Sequence, residues 1–326
     1  MELLKRLTEI DAPSGRETPL YDFIKEKVSE MGYDVSQDAL GSVTAHKKGN
    51  GKKLMICAHA DEIGVIANYI DDNGFIRFGA VGGLSVKELP MRRVRFENGT
   101  IGVIGAEESD FDKKAEIGKL YIDIGAKDKI EAEKSVKTGD MAVFCGDFNR
   151  CGDTVISKAL DDRAGCYILL KVMERLKESD NDLYFVFTSQ EEVGLRGAKT
   201  SAFSVMPDLA IVVDVTDTGD TPDGPKVDVK LGAGAAIKVM DRSVMCDMGI
   251  VKTLRKIAEE NSISYTNEIM TDGGTDAGAI ALTGSGVKAG GISIPVRYIH
   301  SPSELANIDD INACCDLLYH ACMYKW

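Results

Sequence analysis

The chain has 326 residues, of which 44 % are hydrophobic, and it carries a formal net charge of -13 at pH 7. That length can bury one large α/β domain and a smaller module. A negative charge with no basic cluster argues against a nucleic-acid partner and against an anionic membrane surface. The sequence has no apolar run of about 18 residues and no apolar centre near its N-terminus, so we expect a cytoplasmic protein with no membrane partner.

The first 60 residues predict two helices followed by two strands. Ser14 and Glu17 have the spacing of a capping box, which predicts a helix from Ser14 to about Met31. Strands are predicted at 42–46 and 54–58. The second strand is a continuous apolar run, which is typical of a strand buried on both faces.

Between residues 66 and 149 the pattern changes. Short apolar segments alternate with glycines and charged turns, which indicates a small β-rich module with one short helix near 127–136. This module interrupts the α/β pattern once. We therefore predict a discontinuous catalytic domain of residues 1–65 and 150–326, with residues 66–149 inserted in it.

The second half of the chain returns to alternating strands and helices. We predict strands at 183–188, 209–213 and 291–294, and helices at 163–177, 251–261 and 308–324. The fold class that follows is α/β with a β-rich insertion.

Acidic and histidine side chains stand at or beside the ends of these strands, where open α/β sheets place their sites. They are His59, Asp61, Asp161, Asp162, Glu191, Glu192, Asp214 and His300. Most have an ordinary explanation when taken alone: Asp161 and Asp162 would favour a helix N-terminus, and Glu191 and Glu192 could lie in a solvated loop. Asp214 is the hardest to explain in this way, because it lies within a β-branched run and a buried carboxylate is costly unless it is paired or bound to metal.

Taken together, these side chains suit a pair of divalent cations. Two cations about 4 Å apart repel each other, and one shared aspartate, two further carboxylates and a hydroxide would balance their charge. A ligand set of nitrogen and oxygen suits zinc, cobalt or manganese, and the absence of thiolates favours a catalytic site. Asp61 could orient the His59 ring, and Glu191, next to a ligand, could act as general base.

Six sequence blocks occur in order between residues 59 and 304, within a resemblance that runs from about residue 3 to residue 311: HADEIG, ALDDRAG, QEEVGLRGA, IVVDV, DGGTDAGAI and ISIPVRYIHSPSE. They resemble the co-catalytic metallo-aminopeptidases of the tetrahedral (TET) type, also called glutamyl aminopeptidase or cellulase M-like proteins. The resemblance implies a mixed-sheet zinc exopeptidase-like domain, with the insertion serving as a barrel-like dimerisation domain. It also implies a homo-oligomer, a dodecamer built from dimers.

The resemblance implies a role for each site residue. His59, Asp161 and Asp214 would hold one metal ion, and Asp161, Glu192 and His300 would hold the other, giving two ions per chain, zinc or cobalt. Glu191 would be the catalytic base and Asp61 the acid that orients His59. The Asp161–Asp162 peptide bond would be cis, and residues 273–276 would form a loop near the active site. One departure occurs at Ala235, where relatives carry proline.

The implied activity is that of a metal-dependent aminopeptidase, which removes N-terminal residues from short peptides by means of a two-metal-activated hydroxide and a glutamate base. A metal-dependent deacylase or carboxypeptidase is an alternative, but such proteins carry their extra domain between the last acidic ligand and the final histidine. Here the insertion lies between Asp61 and Asp161 instead. A glucanase would need a free pair of carboxylates and aromatic sugar platforms, and Trp326 is the one tryptophan. A scaffold without activity is the last alternative, and an intact ligand set argues against it.

Overall fold

The computed structural model describes residues 1–107 and 115–326. Within these residues the helices are α1 (Glu2–Glu9), α2 (Thr18–Glu30), α3 (Lys129–Ala132), α4 (Leu160–Arg175), α5 (Arg196–Val205), α6 (Met248–Glu260), α7 (Asp276–Ala281) and α8 (Ile308–Met323). The strands are β1 (Asp34–Gln37), β2 (Val43–Lys47), β3 (Lys53–His59), β4 (Gly64–Ile70), β5 (Ile76–Val81), β6 (Arg93–Phe96), β7 (Ile101–Ala106), β8 (Leu120–Asp123), β9 (Met141–Phe144), β10 (Asn149–Cys151), β11 (Thr154–Ser157), β12 (Asp182–Thr188), β13 (Leu209–Asp217), β14 (Ala235–Met240), β15 (Tyr265–Ile269), β16 (Lys288–Arg297) and β17 (Glu304–Asn307).

A large mixed sheet organises the α/β part, as the sequence predicted. Its strand order is β1-β2-β12-β3-β13-β16-β17-β11-β10, and β14 joins β16 and carries β15 at its other edge. At the centre, β12, β3, β13 and β16 pair in parallel. Their carboxyl ends therefore lie along the same side of the sheet, where an α/β fold builds its site.

The middle of this sheet is buried on both faces. In β3 every residue after Lys53 is buried, and β13 is buried along all but its last residue. Helices α4, α5 and α7 all contact β3. Continuous apolar runs are what a parallel strand covered by helices requires, so the apolar run at 54–58 indicated its central position correctly.

The inserted segment forms a closed antiparallel barrel in the order β4-β5-β8-β7-β6-β9. It has its own hydrophobic cluster, which includes Ile76, Phe78, Val94 and Ile122. Its short helix, α3, falls inside the predicted interval 127–136. Residues 108–114, which belong to the predicted insertion, lie outside the described residues.

The predicted capping box is wrong. Helix α2 begins at Thr18, its N-cap is Glu17, and no side chain caps it. Ser14 instead donates a hydrogen bond to Asp61, and Glu17 accepts hydrogen bonds from the backbone amides of Gly15 and Gln190. A proline in the first turn removes one of the amides that a cap would satisfy, so these two side chains bind the neighbouring loops.

Candidate active site

The carboxyl ends of the parallel strands bring the predicted residues to one cleft. His59 ends β3, Glu191 and Glu192 follow β12, and Asp214 lies in the second half of β13. His300 follows β16, and Asp161 lies at the start of α4. These six residues line one cleft of about 510 Å³. The other two predicted site residues, Asp61 and Asp162, lie behind this lining and are buried.

Two groups of potential ligands share Asp161. His59 Nε2 lies 2.9 Å from Oδ1 of Asp161 and 3.8 Å from Oδ1 of Asp214. His300 Nε2 lies 3.2 Å from Oδ2 of Asp161 and 3.2 Å from Oε2 of Glu192. Within each group the candidate ligand atoms lie no more than 4.8 Å apart. The two oxygens of Asp161 therefore face different groups, as a bridging carboxylate would.

The chemistry of these side chains fits divalent cations. Oε1 of Glu192 is buried and has no hydrogen-bond partner. Burial, together with the charge of Asp161, raises the pKa of Asp214 well above its usual value. Bound cations would offset this clustering of negative charge and would supply the missing partner. The role of the five residues as ligands stays a prediction.

Asp61 holds the loop that carries the acidic pair. Its carboxylate accepts hydrogen bonds from Ser14 Oγ at 2.6 Å, from the Glu191 amide at 2.9 Å and from the Glu192 amide at 3.2 Å. His59 Nδ1 lies 3.5 Å from Oδ1 of Asp61 and 3.2 Å from its carbonyl oxygen. Burial alone would raise the pKa of Asp61, but these partners outweigh it and the pKa is lowered.

Glu191 belongs to neither ligand group, although its side chain lines the same cleft. Burial raises the pKa of Glu191 well above that of an exposed glutamate. A carboxylate with a raised pKa beside a ligand cluster has the affinity for protons that a general base needs.

Glu304 is a supporting residue that sequence reasoning missed. It is fully buried, and it accepts the Asp161 amide on Oε2 at 3.0 Å and the His300 amide on Oε1 at 2.9 Å. Asp162 acts similarly, because its Oδ2 accepts the amide of His59 at 3.2 Å. Glu304 is 143 positions from Asp161, so nothing in the local pattern could have indicated the contact.

The backbone around the site adopts uncommon conformations. Gln190 and His300 have φ values of 55° and 62°, in the left-handed region that non-glycine residues rarely occupy. The Asp161–Asp162 peptide bond is cis, as the family resemblance implied. Left-handed residues persist where the surrounding contacts dictate them, and the hydrogen bonds from the His300 amide to Glu304 and from the Gln190 amide to Glu17 are contacts of that kind.

Two further expectations concern loops near the cleft. Gly273, Gly274 and Thr275 line the cleft, as expected for the loop at 273–276. At the departure from the family pattern, the amide of Ala235 donates a hydrogen bond to the carbonyl of Ser264 at 3.0 Å. Proline has no amide hydrogen, so alanine here allows β14 to bond to the segment before β15.

Comparison with known proteins decides the family. The sequence profile of the M42 glutamyl aminopeptidase family matches residues 41–317. The chain belongs to this M42 family. It is therefore a peptide hydrolase, and its family is that of the TET aminopeptidases, which confirms the resemblance seen in the sequence.

Relatives of this M42 peptidase match it along nearly the whole chain. A putative aminopeptidase of Acetivibrio thermocellus is 52 % identical, covering 98 % of this chain and 97 % of that protein. The lysyl aminopeptidase of Pyrococcus furiosus is 32 % identical, and the match covers 95 % of this chain and 93 % of that protein. The structure of the TET1 peptidase of Pyrococcus horikoshii superimposes with a TM-score of 0.90 at 33 % identity, and the match covers 99 % of this chain and 98 % of that one. That peptidase can assemble into a tetrahedron or a large octahedral shell. No described helix of this M42 peptidase is long and apolar enough to cross a membrane.

Proposed function

We propose that this M42 peptidase is a cytoplasmic two-metal aminopeptidase that removes N-terminal residues from short peptides. One observation carries the proposal: two nitrogen-and-oxygen ligand groups share Asp161, and Glu191 stands free in the same cleft.

His59, Asp161 and Asp214 would hold one cation, and Asp161, Glu192 and His300 would hold the other. Such a mixed set of imidazole and carboxylate ligands suits zinc or cobalt. When bound, two cations polarise the substrate carbonyl and lower the pKa of an attacking water.

The chain's own residues would move the proton and hold the geometry. Glu191 takes the proton of the attacking water and delivers it to the leaving amine, which is the work of a general base that then acts as an acid. Asp61 keeps Glu191 and Glu192 in place through their amides and fixes the ring of His59.

The barrel would serve as the dimerisation domain of a dodecamer built from dimers. We assign residues 66–149 to it and residues 1–65 and 150–326 to the catalytic domain. Two observations support this role. Met91, Ile101 and Val103 are exposed on the barrel, and exposed apolar side chains that lie close together favour association. The TET1 peptidase of P. horikoshii, which matches nearly the whole chain, forms large shells.

Elemental analysis combined with a substrate panel tests the proposed activity. The panel contains aminoacyl amides, the same compounds with a blocked amino group, peptides with a free carboxyl end, and soluble cellulose. We expect about two metal ions per chain and release of residues from free N-termini only. Hydrolysis of blocked compounds or release from the carboxyl end would favour the deacylase or carboxypeptidase alternative, and hydrolysis of cellulose would favour a glucanase.

A further inference from the structure

One wall of the cleft carries a buried ionic cluster. Lys238 of β14 and Glu268 of β15 are paired across the two strands, and Asp241 follows β14. The three residues are 3 %, 1 % and 4 % exposed, and all of them line the same cleft as the two ligand groups. None of the three belongs to the two ligand groups, and all of them are distinct from the proposed base Glu191.

The lysine is already neutralised. Its Nζ contacts Oε1 of Glu268 and lies 3.3 Å from Oδ2 of Asp241. Burial alone would lower the pKa of Lys238, but the two acids outweigh it and the pKa is raised, so the ammonium group stays charged and paired. Lys238 is thus engaged by two carboxylates and is not a free cation.

One of the two acids has a carboxylate oxygen that accepts no hydrogen bond. Oδ1 of Asp241 accepts the amides of Ser243 and Val244, at 2.7 and 2.9 Å. By contrast, Oε2 of Glu268 is buried and has no hydrogen-bond partner. A buried carboxylate oxygen without a donor is costly unless another molecule supplies one.

The rest of the lining has the same sign. Asp217 and Asp272 also line the cleft, so the lining outside the ligand groups and Glu191 holds four acids and one lysine among the described residues. Met270 lies among them and offers an apolar contact. A pocket with an apolar wall and excess negative charge suits a long aliphatic side chain that ends in a cation.

We propose that the cluster of Lys238, Asp241 and Glu268 is the specificity pocket for the N-terminal residue of the substrate, and that it selects lysine and arginine. This inference rests on the proposed aminopeptidase function. A cationic side chain would donate to Oε2 of Glu268. A glutamate side chain would meet a lysine that is already paired and would be repelled by the surplus of acids.

Initial rates on lysyl, arginyl, leucyl and glutamyl amides test the proposal with the metal-loaded enzyme. We expect kcat/KM for the lysyl and arginyl amides to be about tenfold higher than kcat/KM for the leucyl amide. The excess over the glutamyl amide should be larger still. A preference for the glutamyl or leucyl amide would overturn the pocket assignment.

The variant Glu268→Gln keeps the size of the side chain and removes its charge. We expect its ratio of lysyl to leucyl kcat/KM to fall about tenfold from the wild-type ratio. Glu260→Gln is the matched control, because Glu260 is exposed at the end of α6, where it pairs with Lys256. A wild-type ratio in folded Glu268→Gln contradicts the proposal.

Because Glu268→Gln removes one of the two negative charges that neutralise the buried Lys238, that variant could fail to fold. Asp272→Asn then decides, because Asp272 belongs to the surplus of acids in the cleft on which the proposed selection of cations depends. Asp272 is exposed, so its replacement should not disturb the buried cluster. We expect its ratio of lysyl to leucyl hydrolysis to fall about threefold, and an unchanged ratio would overturn the inference. If no aminoacyl amide is hydrolysed at all, the proposed function itself fails. If leucyl amide is hydrolysed without a preference for basic residues, only the pocket assignment fails.

Discussion

The carboxylate of Asp61 accepts a hydrogen bond from the backbone amide of Glu191 at 2.9 Å. The same carboxylate accepts the next amide, that of Glu192, and the hydroxyl of Ser14. Asp61 therefore joins three separate segments: the loop after β3, the loop after β12 and the segment between α1 and α2. The position of the proposed base depends on a contact from the N-terminal part of the chain.

The first prediction concerns Ser14. Ser14→Ala removes a buried hydrogen bond of 2.6 Å to Asp61, and we expect a loss of about 1 kcal/mol in the free energy of unfolding. Because the Glu191 loop loses an anchor, kcat should fall about tenfold while KM changes little. Ser36→Ala on the exposed surface of β1 is the control. Equal kcat values in the two variants would show that the Ser14 contact does not position the base.

The second prediction concerns the base. Glu191→Gln keeps the backbone amide that Asp61 holds but removes the group that takes up a proton. We expect the variant to retain its metal content and to lose about 10²- to 10⁴-fold in kcat. Elemental analysis and steady-state kinetics on the same sample check both parts. Normal turnover would remove Glu191 from the proposed mechanism, whereas loss of metal would make it a ligand.

The third prediction concerns metal removal. Ions that bind the folded chain and not the unfolded chain stabilise it by about 2.7 kcal/mol when their free concentration is 100 times Kd. Dialysis against a chelator should therefore abolish activity and lower Tm, and zinc or cobalt should restore both. Asp214→Asn should bind one ion fewer and show a smaller rise in Tm when metal is added. A Tm that does not respond to metal would contradict the two-site interpretation.

The fourth prediction concerns Glu304, which accepts the amides of Asp161 and His300. In Glu304→Gln, one of these amides would face an NH₂ group that cannot accept a hydrogen bond. We expect metal affinity to fall about 10- to 100-fold, as for other residues that orient ligands. Titration calorimetry with zinc measures the affinity. The control is Glu133→Gln, because Glu133 is exposed at the C-terminal end of α3. An unchanged affinity would mean that the two ligands hold their positions without Glu304.

Local patterns predicted the central strands well. The apolar runs at 54–58 and 209–213 are buried strands of the parallel sheet, and the acidic or histidine residues at their ends meet in one cleft. The physical reason is that hydrophobic periodicity and strand ends are local features. The short-range motif at Ser14 and Glu17 misled, because tertiary partners took the side chains that a helix cap would have used.

Contacts between distant residues could not be predicted in the same way. Strands β14 and β15, which carry Lys238 and Glu268, were not predicted from the sequence. Their pairing depends on the neighbouring strand β16 and on the Ala235 amide, not on a strong local pattern. Glu304 ends the block ISIPVRYIHSPSE, but only the fold brings its carboxylate to the amides of two candidate ligands.

The last prediction concerns the link between the barrel and the α/β part. Arg95 of β6 donates two hydrogen bonds to Asp11, at 2.6 and 2.8 Å, and Lys158 lies 3.3 Å from the same carboxylate. Burial alone would raise the pKa of Asp11, but Arg95 and Lys158 outweigh it, so the pKa lies below its ordinary value of 3.8. A carboxyl group whose folded-state pKa is lowered stabilises the protein above its unfolded-state pKa, and this contribution is lost as the pH falls through the folded-state pKa.

Asp11→Asn should therefore lower the free energy of unfolding by about 1 to 2 kcal/mol at neutral pH. The difference from the wild type should stay constant from about pH 8 down to about pH 5 and should shrink at lower pH, as Asp11 of the wild type becomes protonated. Asp316→Asn breaks an ion pair with Arg175 in which the acid is more exposed than Asp11, and it should change stability little. Urea denaturation at several pH values measures both variants. A difference for Asp11→Asn that grows as the pH falls would mean that the ionised Asp11 does not stabilise the contact between barrel and sheet.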